Sequence, residues 1–124
     1  MNRIVRSVCL FAVVLVFVGC PASPFQLGIW IFTITGVDPI VAAEFNSNGT
    51  ATPPSEIPTE AETTFEGTLN WARNGSIVTI NQDSGVQMYQ YVGELSNRTA
   101  MSGTWQQTAG GNDSGTFSAE WVSN

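Results

Sequence analysis

The chain has 124 residues, with four arginines, no lysine, no histidine and ten carboxylates, for a formal net charge of −6. Binding to a nucleic-acid backbone needs several cations to displace counterions, and this chain lacks them. Without His or Lys, Ser-His, Cys-His and Schiff-base mechanisms have no base or nucleophile. Transition-metal sites lose their main ligands for the same reason. No enzymatic activity, metal or cofactor is therefore expected.

The first segment carries Arg3 and Arg6, then an apolar run of 11 residues from Val8 to Val18, then Gly19-Cys20. A positive start, a short apolar stretch and small residues at a cut site make a signal peptide. The pentad Val16-Phe17-Val18-Gly19-Cys20 resembles the lipobox of bacterial lipoprotein signal peptides, with Phe17 where that family usually has Leu. The resemblance implies cleavage before Cys20 and a diacylglycerol on its sulfur. Two other outcomes stay open: a cut after Ala22 that releases a soluble secreted domain, and an uncleaved membrane helix. The second needs about 20 apolar residues, more than the run supplies. The expected organisation is a signal peptide at 1–19, a tether at 20–26 and one domain at 27–124. The expected location is a bacterial cell envelope, with acyl chains on Cys20 holding the protein to a membrane, the outer membrane being favoured.

Taking 1–19 from 124 leaves 105 residues, enough for one core that buries roughly two-thirds of its unfolded surface. Cys9 leaves with the signal and Cys20 carries lipid, so no disulfide pair remains. Arg73 and Arg98 stand against all ten acids, a net of −8. Two cations give little attraction to anionic headgroups, so the acyl chains are the expected membrane contact. Pro21-Ala22-Ser23-Pro24 is a stiff, short tether, and the six residues from Cys20 to Phe25 reach at most about 20 Å.

From Leu27 onward the pattern is strands and turns. Strands are expected at 27–35, 39–46, 64–72, 76–82, 86–95, 99–107 and 115–122, with a short eighth at 49–53. Asn48-Gly49 and Asn74-Gly75 favour two-residue hairpin turns, whose central residues take positive φ. Asp83-Ser84-Gly85 and Ser96-Asn97-Arg98 are further tight turns, and 110–115 is a Gly-rich loop. Short links favour antiparallel neighbours. Between Thr52 and Thr63 stand Pro53, Pro54 and Pro58 with Glu56, Glu60 and Glu62. Prolines exclude a central strand there, so an exposed loop at the open end of a barrel is expected.

Period-two alternation marks the inner face. It groups Trp30, Phe32 and Ile34; Val41, Ala43 and Phe45; Phe65, Gly67, Leu69 and Trp71; Tyr89, Tyr91, Gly93 and Leu95; Met101, Gly103 and Trp105; and Phe117, Ala119 and Trp121. Inward glycines at 67, 93 and 103 let a sheet bend until it closes, and closure removes exposed edges. The expected fold is all-β, a small antiparallel up-and-down meander barrel of 7–8 strands, preferred over an open sandwich. Ile29, Ile31, Met88 and Val92 take the outer parity and would form an apolar contact surface.

Gly28-Ile29-Trp30, with the Gly-Thr-aromatic beats Gly103-Thr104-Trp105 and Gly115-Thr116-Phe117, resembles the Gly-x-Trp opening of lipocalin-like and avidin-like barrels. That resemblance implies the architecture and leaves the ligand open.

Trp30, Trp71, Tyr89, Tyr91, Trp105 and Trp121 are the candidates to line a pocket for a small apolar ligand. The competing reading is that they fill the barrel, since eight strands leave room either for side chains or for one small ligand. In a closed core their polar tips need partners, for which Thr33, Thr79 and Gln87 are candidates. Glu44, Glu66, Glu94 and Glu120 take the outward parity, so no carboxylate pair of the kind a glycosidase uses is expected inside. Asp113 with Asn112 is a poor calcium site, because calcium takes six to eight oxygens.

Overall fold

The computed structural model describes residues 25–37 and 39–123. The expected signal segment, Cys20 and most of the expected tether lie outside the described residues. Within them the chain forms nine strands and no helix: β1 (Gly28–Ile34), β2 (Val41–Phe45), β3 (Thr50–Thr52), β4 (Thr63–Thr64), β5 (Thr68–Asn74), β6 (Ile77–Asp83), β7 (Met88–Asn97), β8 (Ala100–Ala109) and β9 (Ser114–Ser123). Eight of them close into an antiparallel up-and-down barrel in which each strand pairs with its chain neighbour, and β9 returns to β1. Trp30 faces Trp121 and Ile34 faces Phe117 across that seam. The ninth, β4, runs parallel to β2 and pairs Val41 with Thr63, on the stretch of β2 that short β3 does not reach.

The short links explain the topology, because each leaves only an antiparallel return within reach. Asn74 pairs with Ile77, so Gly75 and Ser76 form the two-residue link of β5–β6, with Gly75 at φ 63°. The link is one residue later than the expected Asn74-Gly75 centre. The β2–β3 link is longer than expected: Asn46 N–H donates to Thr50 O at 2.9 Å, leaving Ser47, Asn48 and Gly49 between them. Gly49, at φ 88°, takes the positive-φ position of such a three-residue loop. Asn97 Oδ1 accepts from the Thr99 N–H at 2.9 Å, an Asx turn between β7 and β8.

The inner faces follow the period-two reading with one correction. Trp30, Phe32, Ile34, Val41, Ala43, Phe45, Leu69, Val78, Ile80, Tyr91, Leu95, Met101, Phe117 and Ala119 form one buried cluster. Gly93 is buried among them, and an added Cβ would lie 2.9 Å from Met101 Sδ and 3.0 Å from Phe117 Cζ. Gly103 faces Gly93 across β7–β8, and an added Cβ there would collide with the Val92 carbonyl oxygen. These two glycines let the strands close tightly.

Gly67 is not on the inner face. It is exposed, with φ 78°, in the gap between β4 and β5. The single strand expected at 64–72 is thus two pieces, because a left-handed residue breaks the ladder where the chain passes the Asp83 carbonyl.

Residues 53–62 form the expected irregular loop. It is exposed for the most part, although Pro54 and Ala61 are buried, and the Glu62 N–H donates to Ile40 O at 2.9 Å.

Candidate functional site

The two ends of the barrel differ. At the end where β1 begins, Phe25 acts as a cork. Its ring lies 5.2 Å from Trp30, 5.1 Å from Trp71 and 5.5 Å from Phe45. Trp30 is 0% exposed. Backbone carbonyls of the adjoining segments take up the indole N–H groups. Trp30 Nε1 donates to Gln26 O at 2.7 Å, Trp71 Nε1 to Asn46 O and Thr50 O at 3.1 Å each, and Trp121 Nε1 to Leu27 O at 3.0 Å. Thr33 and Thr79, the expected partners, lie at outer-face positions of their strands and play no part.

Phe32 separates this plug from the other end. Its ring stacks on Phe45 at 6.1 Å and on Phe117 at 5.9 Å, and meets Phe65 edge-on at 5.1 Å. Above it, at the end where β1 and β8 finish, a cavity of about 540 Å³ opens between the strand ends. Drug-sized pockets run from about 300 to 1,000 Å³. Ile34, Val41 and Phe65 form its apolar wall, and Tyr89, Tyr91 and Trp105 its aromatic wall.

The six aromatics expected to line one pocket therefore divide. Tyr89, Tyr91 and Trp105 line the cavity. Trp30, Trp71 and Trp121 do not, and belong to the plugged end. The interior is filled at one end and open at the other. Alternation assigns a side chain to the inside, but its depth along the axis depends on where its strand starts. Trp30 is the third residue of β1 and Trp121 the eighth of β9, and both reach the closed end.

Hydrogen bonds hold the cavity wall. Gln82 is 8% exposed and is the one buried polar residue among the described residues. Its Oε1 accepts from the Tyr91 hydroxyl at 2.9 Å, and its Nε2 donates to Glu66 O at 2.9 Å. The Tyr89 hydroxyl donates to Gln87 Oε1 at 2.9 Å, at the exposed rim and not within a closed core. Burial pushes the Tyr91 phenol up to about 12, with the neighbouring Tyr89 adding to the effect, because both disfavour the phenolate. Trp105 packs edge-on against Tyr89 at 6.1 Å. Its Nε1 is the one buried side-chain nitrogen or oxygen without a partner among the described residues. Gly115, opposite Trp105 on β9, makes room for the indole: an added Cβ would lie 2.7 Å from Nε1.

Two acidic residues, Glu66 and Asp113, border this cavity at its mouth, and both are exposed. Phe65 turns inward onto Phe32 and Tyr91 while Glu66 is exposed, as parity expects; the Glu66 backbone carbonyl, held by Gln82, is what borders the cavity. Asp113 is held at the rim by Gln107, whose backbone N–H donates to Asp113 O at 2.8 Å and whose Oε1 accepts from the Asp113 N–H at 3.4 Å. No group of three His, Cys, Asp or Glu able to hold a metal occurs among the described residues.

Charge is unevenly spread along the axis, with Glu44, Glu94 and Glu120 on β2, β7 and β9 nearer the closed end. Glu56, Glu60, Glu62, Glu66, Asp83 and Asp113 sit in the links or strand ends around the open mouth. Both described cations sit at the closed end. Arg73 Nε donates to Gly75 O at 2.7 Å, and the Arg98 carbonyl accepts from the Gln26 N–H at 3.2 Å.

Gln82 and Phe65 were missed as cavity residues. Gln82 shares the parity of Val78 and Ile80, a signal present in the sequence. On the outer face Val86 is 83% exposed, and Met88 and Val92 are exposed as well, whereas Ile29 and Ile31 are half-buried. No family model, curated protein or solved structure matches this chain.

Proposed function

We propose that this chain is a lipid-anchored protein of a bacterial cell envelope whose barrel takes up a small ligand with an apolar body. The observation that carries the reading is the cavity of about 540 Å³ standing above a plugged half. A barrel with no ligand has no need to leave Tyr89, Tyr91 and Trp105 around open space when Phe25, Trp30 and Trp71 fill the opposite end. Large aromatic faces supply contact area at small entropic cost, and Gln82, Gln87 and the two tyrosine hydroxyls supply the few polar groups that orient a ligand.

The lipid anchor rests on the lipobox-like pentad ending at Cys20, and the likeness to lipocalin-like and avidin-like barrels rests on the Gly-x-Trp opening. The tether joins the barrel at Phe25, in the closed end. A lipid on Cys20 would therefore place the plug toward the membrane and the mouth away from it, open to the aqueous phase.

Titration with an uncharged apolar fluorophore tests the cavity. Saturable quenching of tryptophan emission, reduced when Trp105 is replaced by Phe, is the expected result. A linear, non-saturating response would refute it. Mass spectrometry of the mature N-terminus tests the anchor; a chain starting downstream of Cys20 without lipid would refute that part alone.

A second reading, a protein-contact role, is favoured by the exposed Val86, Met88 and Val92 along β7 and the link before it. Cross-linking in native membranes tests it, and recovery of the uncross-linked chain alone counts against it.

A further inference from the structure

The chemical class of the ligand follows from which charges reach the cavity. Glu66 immediately precedes the turn into β5, and Asp113 immediately precedes β9. In the closed order β1-β9-β8-β7-β6-β5-β3-β2, β5 and β9 are four strands apart in either direction. The two residues thus stand on opposite sides of the mouth, in a rim that also carries Glu56, Glu60, Glu62 and Asp83. The arc from β6 to β8 between them carries Gln82, Tyr89, Tyr91 and Trp105. Among the described residues no cation faces the cavity, since Arg73 and Arg98 are both at the other end.

Each ligand class meets this arrangement differently. An anionic amphiphile, such as a fatty acid or a phosphate ester, would have to pass an acidic mouth with no cation there to pair with, against the field of the rim. A neutral ligand would use the aromatic wall but gain nothing from the acids. A cation gains from both. A cleft lined by one sign of charge focuses the field and raises the local concentration of the opposite sign, and the electron-rich faces of Trp and Tyr attract a desolvated ammonium group.

Resting on the cavity reading above, we infer that the ligand is a small organic cation: an alkyl- or aryl-ammonium whose apolar body lies against Phe65, Ile34 and Val41 and whose charge lies at the acidic mouth that Glu66 and Asp113 border. The cavity makes the site, and the distribution of charge selects among its possible occupants.

The test uses three probes of matched shape: benzyltrimethylammonium, its uncharged carbon isostere neopentylbenzene, and benzylsulfonate. Each is titrated into the intact protein and followed by tryptophan fluorescence and calorimetry. The expected result is that the ammonium binds at least about tenfold tighter than the isostere and the sulfonate binds weakest. Raising the salt should weaken the ammonium alone, as screening requires. In the Glu66→Gln/Asp113→Asn double variant the ammonium-to-isostere ratio should fall toward one. Both side chains are exposed and each change is isosteric, and an unchanged melting temperature would show that the barrel is intact. Should the isostere bind as well as the ammonium, the cation inference fails while the cavity reading survives. If the ratio persists in the double variant, the inference also fails, because the charge would lie elsewhere. Absence of saturable binding by all three probes overturns both.

Discussion

The hydroxyl of Tyr91 donates to Oε1 of Gln82 at 2.9 Å, across the diagonal of the β6–β7 ladder, where Ile80 is the direct partner of Tyr91 and Tyr89 that of Gln82. The bond joins the floor of the cavity to its rim, because Gln82 Nε2 in turn donates to the carbonyl of Glu66 at 2.9 Å. Phe65 is drawn in beside it, edge-on to Tyr91 at 5.7 Å. One buried amide thus positions the segment between β4 and β5 that borders the cavity.

Replacing Tyr91 with Phe leaves Gln82 Oε1 buried and unpaired. Orphaned buried acceptors cost about 1–3 kcal/mol, and a loss in that range is expected from urea denaturation midpoints. Gln82→Leu removes the orphan but also frees the Glu66 carbonyl. The double variant should therefore be less destabilised than the sum of the singles, by about 1 kcal/mol in a double-mutant cycle.

Alkaline stability should follow the same phenol. Its folded pKa, about 12, lies above the ordinary 10.0, so the unfolded chain loses this proton first as the pH rises. The contribution from Tyr91 is full below pH 10, declines from pH 10 to 12 and is gone above that. The decline amounts to about 2–3 kcal/mol on linkage grounds. Unfolding midpoints measured from pH 8 to 12 should fall less steeply in Tyr91→Phe than in the parent, and parallel curves would count against it.

The two facing glycines should not tolerate alanine equally. At Gly103 a Cβ meets backbone, the Val92 carbonyl, which cannot yield without distorting β7. At Gly93 it meets the flexible end of Met101 at 2.9 Å and the edge of Phe117 at 3.0 Å. Gly103→Ala is expected to destabilise by about 3 kcal/mol and Gly93→Ala by about 1 kcal/mol, within the range for overpacked cores. Thermal melts of the two variants would read the order directly.

Phe25→Ala removes the cork. A half-buried ring packed on three aromatics should contribute about 2 kcal/mol, measurable by chemical denaturation. The emission of the variant should shift to the red as water reaches Trp30 and Trp71. An unshifted spectrum would mean that another group seals that end.

Gly67→Ala acts on the mouth. The position combines φ 78° with backbone contact to Asp83 and Ser84, so about 1–3 kcal/mol of strain is expected. Because Glu66 and Phe65 adjoin it, binding of the ammonium probe should weaken by more than the change in melting temperature implies.

Much of the barrel is legible in the residues. Gly75, Gly85 and Asn97 mark links where strands reverse, and alternation assigns Trp30, Phe45, Tyr91 and Phe117 to the interior. Gly67 falls outside the inner face that parity gives it, because parity assumes an unbroken strand and the left-handed turn there breaks it. Phe25 drew no notice as a core residue because it lies before the first strand, where no periodicity operates.

Composition and pairing by neighbouring links were enough to specify a closed, cation-poor β-barrel, since these depend on local backbone preference and on which face each side chain takes. Depth was not legible. Whether an inward aromatic plugs the closed end, like Trp71, or borders the open cavity, like Trp105, depends on the stagger of each strand against its neighbours around the ring. That stagger is set by pairings between residues far apart in the chain, such as Trp30 with Trp121, and it decided which aromatics meet a ligand and which acids stand beside them.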